Sequence, residues 1–157
     1  MYTIIKPKSL KELKSSLSKI NTKDKIIVQG GSEDINRFSL ENNKISILLS
    51  PEKNYRKDHT HYRNSGLNQV LCKLAKKSNK SIGIDFNSLL DMSQEERIKT
   101  LGRIEQNIRL CNKYKVNVKI VNTIKTWKDE RSTKDLKSLA TILGLNIKES
   151  SIIKVKT

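Results

Sequence analysis

The chain has 157 residues, with 32 Lys and Arg against 16 Asp and Glu and a formal net charge of +16. That length suits one domain over residues 1–157, able to bury about 70% of its unfolded surface. The basic excess recurs from Lys6 to Lys156 and points to a polyanionic partner, nucleic acid ahead of an anionic membrane, while no apolar run matches a signal peptide or a membrane span, so a cytoplasmic protein is expected.

In chain order, "YTII" (2–5) is a short β-rich run closed by Lys6-Pro7. "SLKELKSSLSKI" (9–20) places Leu10, Leu13, Leu17 and Ile20 at helical spacing, with Ser9 and Glu12 at capping-box positions. "KIIVQGGS" (25–32) reads as a strand ending in a glycine turn, followed by a helix "SEDINRFSLEN" with Ser32 as N-cap. "ISILLSP" (45–51) is a third strand, stopped by Pro51. After a long polar loop, "GLNQVLCKLAKKS" (66–78) carries Leu67, Val70, Leu71, Leu74 and Ala75 on one face. "SIGIDF" (81–86) is strand four, and Ser93 with Glu96 caps a long helix bearing Ile98, Leu101, Ile104, Ile108 and Cys111. "VNVKIVN" (116–122) is strand five, "STKDLKSLATILG" (132–144) a helix stopped at Gly144, and "SIIKV" (151–155) a further strand.

Strands alternating with helices imply βα units and a parallel sheet, apolar on both faces because helices cover it. Periodicity alone fits an open doubly wound sheet or part of a (β/α) barrel. Cys72 and Cys111 have no CxxC spacing and lie on apolar helix faces, as buried thiols do.

Function in such folds gathers in the loops at the C-terminal strand ends. "QGGSED" lacks a phosphate-loop pattern, and Glu33 and Asp34 would repel an anion, so it reads as a tight turn. The loop "NYRKDHTHYRN" holds both histidines, His59 and His61. In an extended segment they would point the same way and, with Asp58 or Asp85, could ligate zinc or manganese. A catalytic metal needs a third strong ligand; Asp85, Asp34 and Glu33 are candidates, but nothing in the sequence places them beside the histidines, so no metal site is assigned. The basic reading is stronger: Lys53, Arg56, Lys57 and Arg63 offer donors to phosphate, and Tyr55 and Tyr62 offer rings to bases. Lys6, Lys128 and Arg131 are lesser candidates. Trp127, the single tryptophan, is read as packing or a protein interface rather than a base-stacking ring. No nucleophile, helper base or flanked carboxylate pair is legible, so no catalytic residue is assigned.

The order of these pieces resembles a known family. "SILLSP", Arg56-Lys57-Asp58, Ser65-Gly66, the helix from Val70 to Ala75, Gly83 to Leu90, "KYKVNVKIVN", and Asp135 to Leu145 are similar in kind and order to ribonuclease P protein component 3. This is the archaeal counterpart of the thirty-kilodalton subunit of the eukaryotic enzyme. Arg63-Asn64, just before Ser65-Gly66, is an alternative match for the basic motif. "HTHYRN" looks like an insertion, and Gln69 stands where the family often has histidine.

The resemblance implies a TIM-like barrel related to the polymerase-and-histidinol-phosphatase hydrolases, incomplete here because the family carries about two further βα units before the position of Tyr2. It also implies a protein subunit of an endoribonuclease whose RNA subunit, using magnesium, removes the 5′ leader of precursor tRNA. The chain itself would bind no cofactor. Its partners would be ribonuclease P RNA, protein component 2, the other protein components and precursor tRNA. Two other readings compete: a metal-dependent phosphoesterase on the same barrel, and a purely protein-docking subunit.

Overall fold

A computed structural model describes residues 2–20, 24–145, 148 and 151–156. Six strands, β1 (Tyr2–Ile5), β2 (Lys25–Gln29), β3 (Ile45–Leu49), β4 (Ser81–Asp85), β5 (Asn117–Ile124) and β6 (Ile152–Lys156), form one parallel sheet in sequential order. Sequential order with no reversal is that of a barrel, not of a doubly wound sheet. The sheet curls until Tyr2 and Ile4 of β1 share one apolar cluster with Ile153 and Val155 of β6. The result is a nearly closed TIM-like barrel with six strands, where a full TIM barrel has eight. Among the described residues the ladder ends at β1 and β6.

Strand alternation divides the side chains between two layers. Ile27, Ile47, Leu49, Val121, Ile153 and Val155 point inward and fill the barrel. Gly83 of β4 leaves the space they need, since a Cβ there would lie 2.9 Å from Leu49 Cδ1 and 3.0 Å from Ile47 Cγ2. Outward residues pack beneath the helices. Ile26, Val28 and Ile45 meet Leu13 and Leu17 of α1 (Leu10–Lys19) and Ile35 of α2 (Glu33–Glu41). Leu48, Ile82, Ile84 and Ile120 meet Leu71, Cys72, Ile104, Ile108 and Leu136 from α3 (Gln69–Lys77), α5 (Gln94–Tyr114) and α6 (Thr133–Ile142). Cys72 and Cys111 are buried against each other; that contact, and burial, hold the Cys111 thiol well above its usual range.

The helix starts follow capping chemistry. Ser93 and Glu96 make the reciprocal box that opens α5, and Ser132 with Asp135 opens α6. At α1 the Glu12 carboxylate reaches one residue further, accepting from the Lys8 N–H at 2.8 Å, while Ser9 Oγ accepts from Glu12 N. α3 begins at Gln69 because Asn68, not Gly66, caps it. Gly144 ends the α6 region with φ 77°. A short helix, α4 (Phe86–Leu90), and a 3-10 turn (Trp127–Asp129) fill stretches that read as loops in the sequence. No helix among the described residues is long and apolar enough to cross a membrane.

Candidate nucleic-acid interface at the barrel mouth

The loops at the C-terminal strand ends form the barrel mouth. Its longest connection, residues 50–68, joins β3 to α3 and is tied down at many points. Arg103 of α5, almost fully buried, is its anchor. Its Nε donates to Asp58 Oδ1 at 2.8 Å, Nη1 to the carbonyls of Glu52 and Asn54 at 3.0 Å each, and Nη2 to that of Arg56. One turn further along α5, Gln106 accepts from Arg63 N and donates to Arg63 O and Ser65 Oγ, and Asn107 donates to Ser65 O at 2.8 Å. Arg103, Gln106 and Asn107 stand at i, i+3 and i+4, so one helical face serves the whole loop. At the loop's end Gly66 has φ 77° and lies against the Pro51 carbonyl, where no Cβ fits.

Asp58 is the hub of this arrangement. Its Oδ1 accepts from Arg103 and from Asn64 N, and its Oδ2 faces Arg63 Nη1 at 3.5 Å. Burial pushes its carboxyl up, but the Asn64 N–H and Arg103 outweigh that and hold it below the usual range. Arg63 in turn lies over Gly102, where a Cβ would come within 2.5 Å of its Cζ. Two expectations change accordingly. Asp58 is committed to arginine and is not available as a third metal ligand. The histidine segment is not extended: the chain reverses between His59 and Tyr62, with His59 N donating to Tyr62 O at 2.9 Å and the two rings stacked at 4.3 Å. Among the described residues no group of three or more His, Cys, Asp and Glu is arranged to hold a metal ion.

The basic residues named from the sequence fall into three places. Lys6 and Lys53 face inward and border a cleft of about 130 Å³ in the mouth, with Lys125, Asp85, Asn87, Ser88, Asp91, Thr123 and Asp129. Arg56, Lys57 and Arg63 lie on the outer rim; Arg56 leans on Glu33 Oε2 at 3.4 Å, and Lys57 is exposed. Lys128 lies within the 3-10 turn and Arg131 just after it, with the Lys128 ammonium 5.6 Å from the Trp127 ring centre and the Arg131 backbone N–H bonded to Asn122 Oδ1. Trp127 is 82% exposed, so packing is the wrong half of its expectation. The turn is fixed from behind: Asn87 Nδ2 and Asn122 Nδ2 both donate to Asp129 O.

Charge is concentrated within the mouth. Burial lowers the Lys53 ammonium below the lysine range; Asp85 and Glu52 oppose this, while Lys6 and Lys125 add to it. Glu52, 4% exposed, is pushed up to about 7 by burial, against the pull of its own backbone N–H, Lys53 and Ser50. The Asp85 carboxylate accepts from Thr123 Oγ1 at 2.9 Å and from Ser88 N. These groups bind and hold charge. They do not form a nucleophile with a base beside it.

Comparison with known proteins gives this mouth a context. The model of the family "RNase P subunit p30" matches residues 4–153. The chain belongs to that family. Ribonuclease P protein component 3 of Methanosarcina acetivorans is 36% identical over 130 residues, covering 83% of this chain and 51% of that protein. The counterpart from Methanocaldococcus jannaschii is 36% identical over 117 residues, 74% of this chain and 47% of the relative. The chain thus spans about half the length of the curated relatives it matches. A chain in a cryo-EM structure of archaeal ribonuclease P with mature tRNA superposes with TM-score 0.76 and 27% identity, over 96% of this chain and 62% of that one. In this p30-family chain Arg56-Lys57-Asp58 is both rim and hub, and Ser65-Gly66 is the hinge of the loop into α3. Arg103, Gln106, Asn107 and Lys125 are not among the site residues named from the sequence. The signal for the first three was a polar seam beside the apolar stripe of α5.

Proposed function

We propose that this chain acts as a protein subunit of the ribonuclease P ribonucleoprotein, supporting RNA-catalysed removal of the 5′ leader from precursor tRNA. The observation that carries this reading is the fold similarity, across 96% of the chain, to a subunit of archaeal ribonuclease P seen with mature tRNA. In this role Lys53, Arg56, Lys57 and Arg63 contact RNA phosphates, with Lys6, Lys128 and Arg131 adding to the field. Such contacts position RNA without reading its sequence. The tied-down loop supports this, because ordered cations lose less freedom on binding than mobile ones. Exposed Trp127, with the Lys128 ammonium over its ring, suits the interface with protein component 2 or another protein component. Magnesium serves the RNA subunit, and the chain binds no cofactor of its own.

The test is leader release from precursor tRNA at limiting magnesium, with the RNA subunit and component 2, with and without this chain. Cleavage that requires the RNA and rises on adding the chain is the expected result. Cleavage by the chain alone, abolished by a chelator, would refute it in favour of a metal hydrolase.

A further inference from the structure

Three lysines from separate segments meet at one place. Lys6 follows β1, Lys53 lies in the loop after β3, and Lys125 follows β5, yet all three border the same mouth cleft. Burial is the main cause that depresses the Lys53 ammonium, and Lys6 and Lys125 lie close enough to add to it, against the pull of Asp85 and Glu52. Among the described residues none of the three makes an ion pair. The acids nearby are largely committed. Asp129 Oδ2 accepts from Lys125 N, Thr126 N and Thr126 Oγ1, and Asp85 Oδ1 from Thr123 Oγ1 and Ser88 N. Asp91, exposed to solvent, borders the same cleft. Converging ammonium groups without ion-pair partners describe the surroundings of an anion.

We propose that the barrel mouth is a pocket for one terminal phosphate, a phosphate monoester held by Lys53 and Lys125, with Lys6 completing the contacts. A terminal phosphate fits better than an internal diester for two reasons. It carries about −1.5 to −2 charges at neutral pH rather than one, so it gains more from each ammonium group it meets. The floor of the mouth is also closed by packed Leu49, Ile47 and Val121 against Gly83, so a ligand enters from one side and stops. The cleft, at about 130 Å³, has room for one phosphate group and a few waters at about 30 Å³ each. The rim arginines form an open surface suited to passing strands; the mouth is recessed and suited to an end. This pocket goes beyond the ribonuclease P reading, and either can stand without the other.

The experiment is calorimetric titration of the full chain, alone, with inorganic phosphate, adenosine 5′-monophosphate, and one short RNA bearing either a 5′-phosphate or a 5′-hydroxyl. Single-site binding is expected, with the 5′-phosphate RNA bound at least about tenfold tighter than its 5′-hydroxyl twin. Lys53→Gln and Lys125→Gln should each weaken it by about tenfold or more, and Lys76→Gln, an equal charge loss at the far end of α3, should not. Lys125 is exposed, so its variant keeps the test valid should Lys53→Gln unfold. Equal affinity for inorganic phosphate and the RNA identifies a free ion or small phosphorylated molecule as occupant; tighter binding of the RNA identifies a nucleic-acid end. No saturable phosphate binding, no discrimination between the two RNA ends, or an equal loss from Lys76→Gln overturns the pocket. Leader-release assays do not enter, so failure here leaves the subunit role untouched.

Discussion

Replacing Glu52 by Gln should stabilise the protein above neutral pH and change little in mild acid. Glu52 is 4% exposed, set among Ile82, Ile84, Ile104 and Ile108 beneath α5, and burial raises its carboxyl from 4.5 to about 7. The sign follows directly. An acid whose folded value is raised favours the fold while protonated and loses that advantage as pH rises through the folded value. At about 1.36 kcal/mol per pKa unit, the rise from 4.5 to about 7 amounts to about 3 kcal/mol, lost between roughly pH 4.5 and pH 7. Gln keeps the shape and an acceptor for Ser50 and the backbone N–H, and carries no charge to desolvate. Urea unfolding of both proteins at pH 4 and pH 8 measures it. Glu52→Gln should gain about 3 kcal/mol relative to the parent at pH 8 compared with pH 4. A difference that does not change with pH, or one that grows toward acid, would show that Glu52 is ionised in the fold, and the reasoning would fail.

Arg103→Met should destabilise the chain by about 3 kcal/mol, because it leaves Asp58 and three loop carbonyls without their donor. Amide hydrogen exchange should show protection lost across residues 52–65, and unchanged protection there would count against the anchor. Gly83→Ala adds a methyl to a filled barrel interior and should cost about 1–3 kcal/mol in urea unfolding. Lys80→Met removes the ammonium that donates to the Asn42 and Ile45 carbonyls and should cost about 1–3 kcal/mol by the same measurement. Binding of precursor tRNA should weaken with salt at a log–log slope of about 0.7–0.9 per phosphate contact. Replacing both Arg56 and Lys57 by Ala should flatten that slope, and an unchanged slope would remove the rim from the interface.

The elements were legible because short β-branched runs and helical stripes alternate cleanly, and every strand begins and ends within a residue or two of its expected place. The barrel itself was not legible from periodicity, since inward and outward strand faces are both apolar; the family resemblance supplied it. Within the site, the basic loop was found by composition, which sees charge but not direction. Arg56 and Lys53 are three residues apart, yet one lies on the rim and the other in the mouth. Arg103 escaped notice for a related reason. A charged residue on a long polar helix normally faces water, and only its contacts to a loop some 45 residues earlier reveal it as buried. The Trp127 reading failed in part because it rested on what tryptophan usually does, while here neighbouring asparagines hold the turn without needing its ring.

The Arg103–Asp58 link has a consequence for how the molecule comes into being. Asp58 leaves the ribosome 45 residues ahead of its anchor, a delay of a few seconds at about 5–20 residues per second. Through that interval the first three strands can already pair, but the basic rim has no spine and swings as a charged tether in a cell crowded with RNA. Its final shape is set only when α5 emerges and threads its guanidinium among the waiting carbonyls.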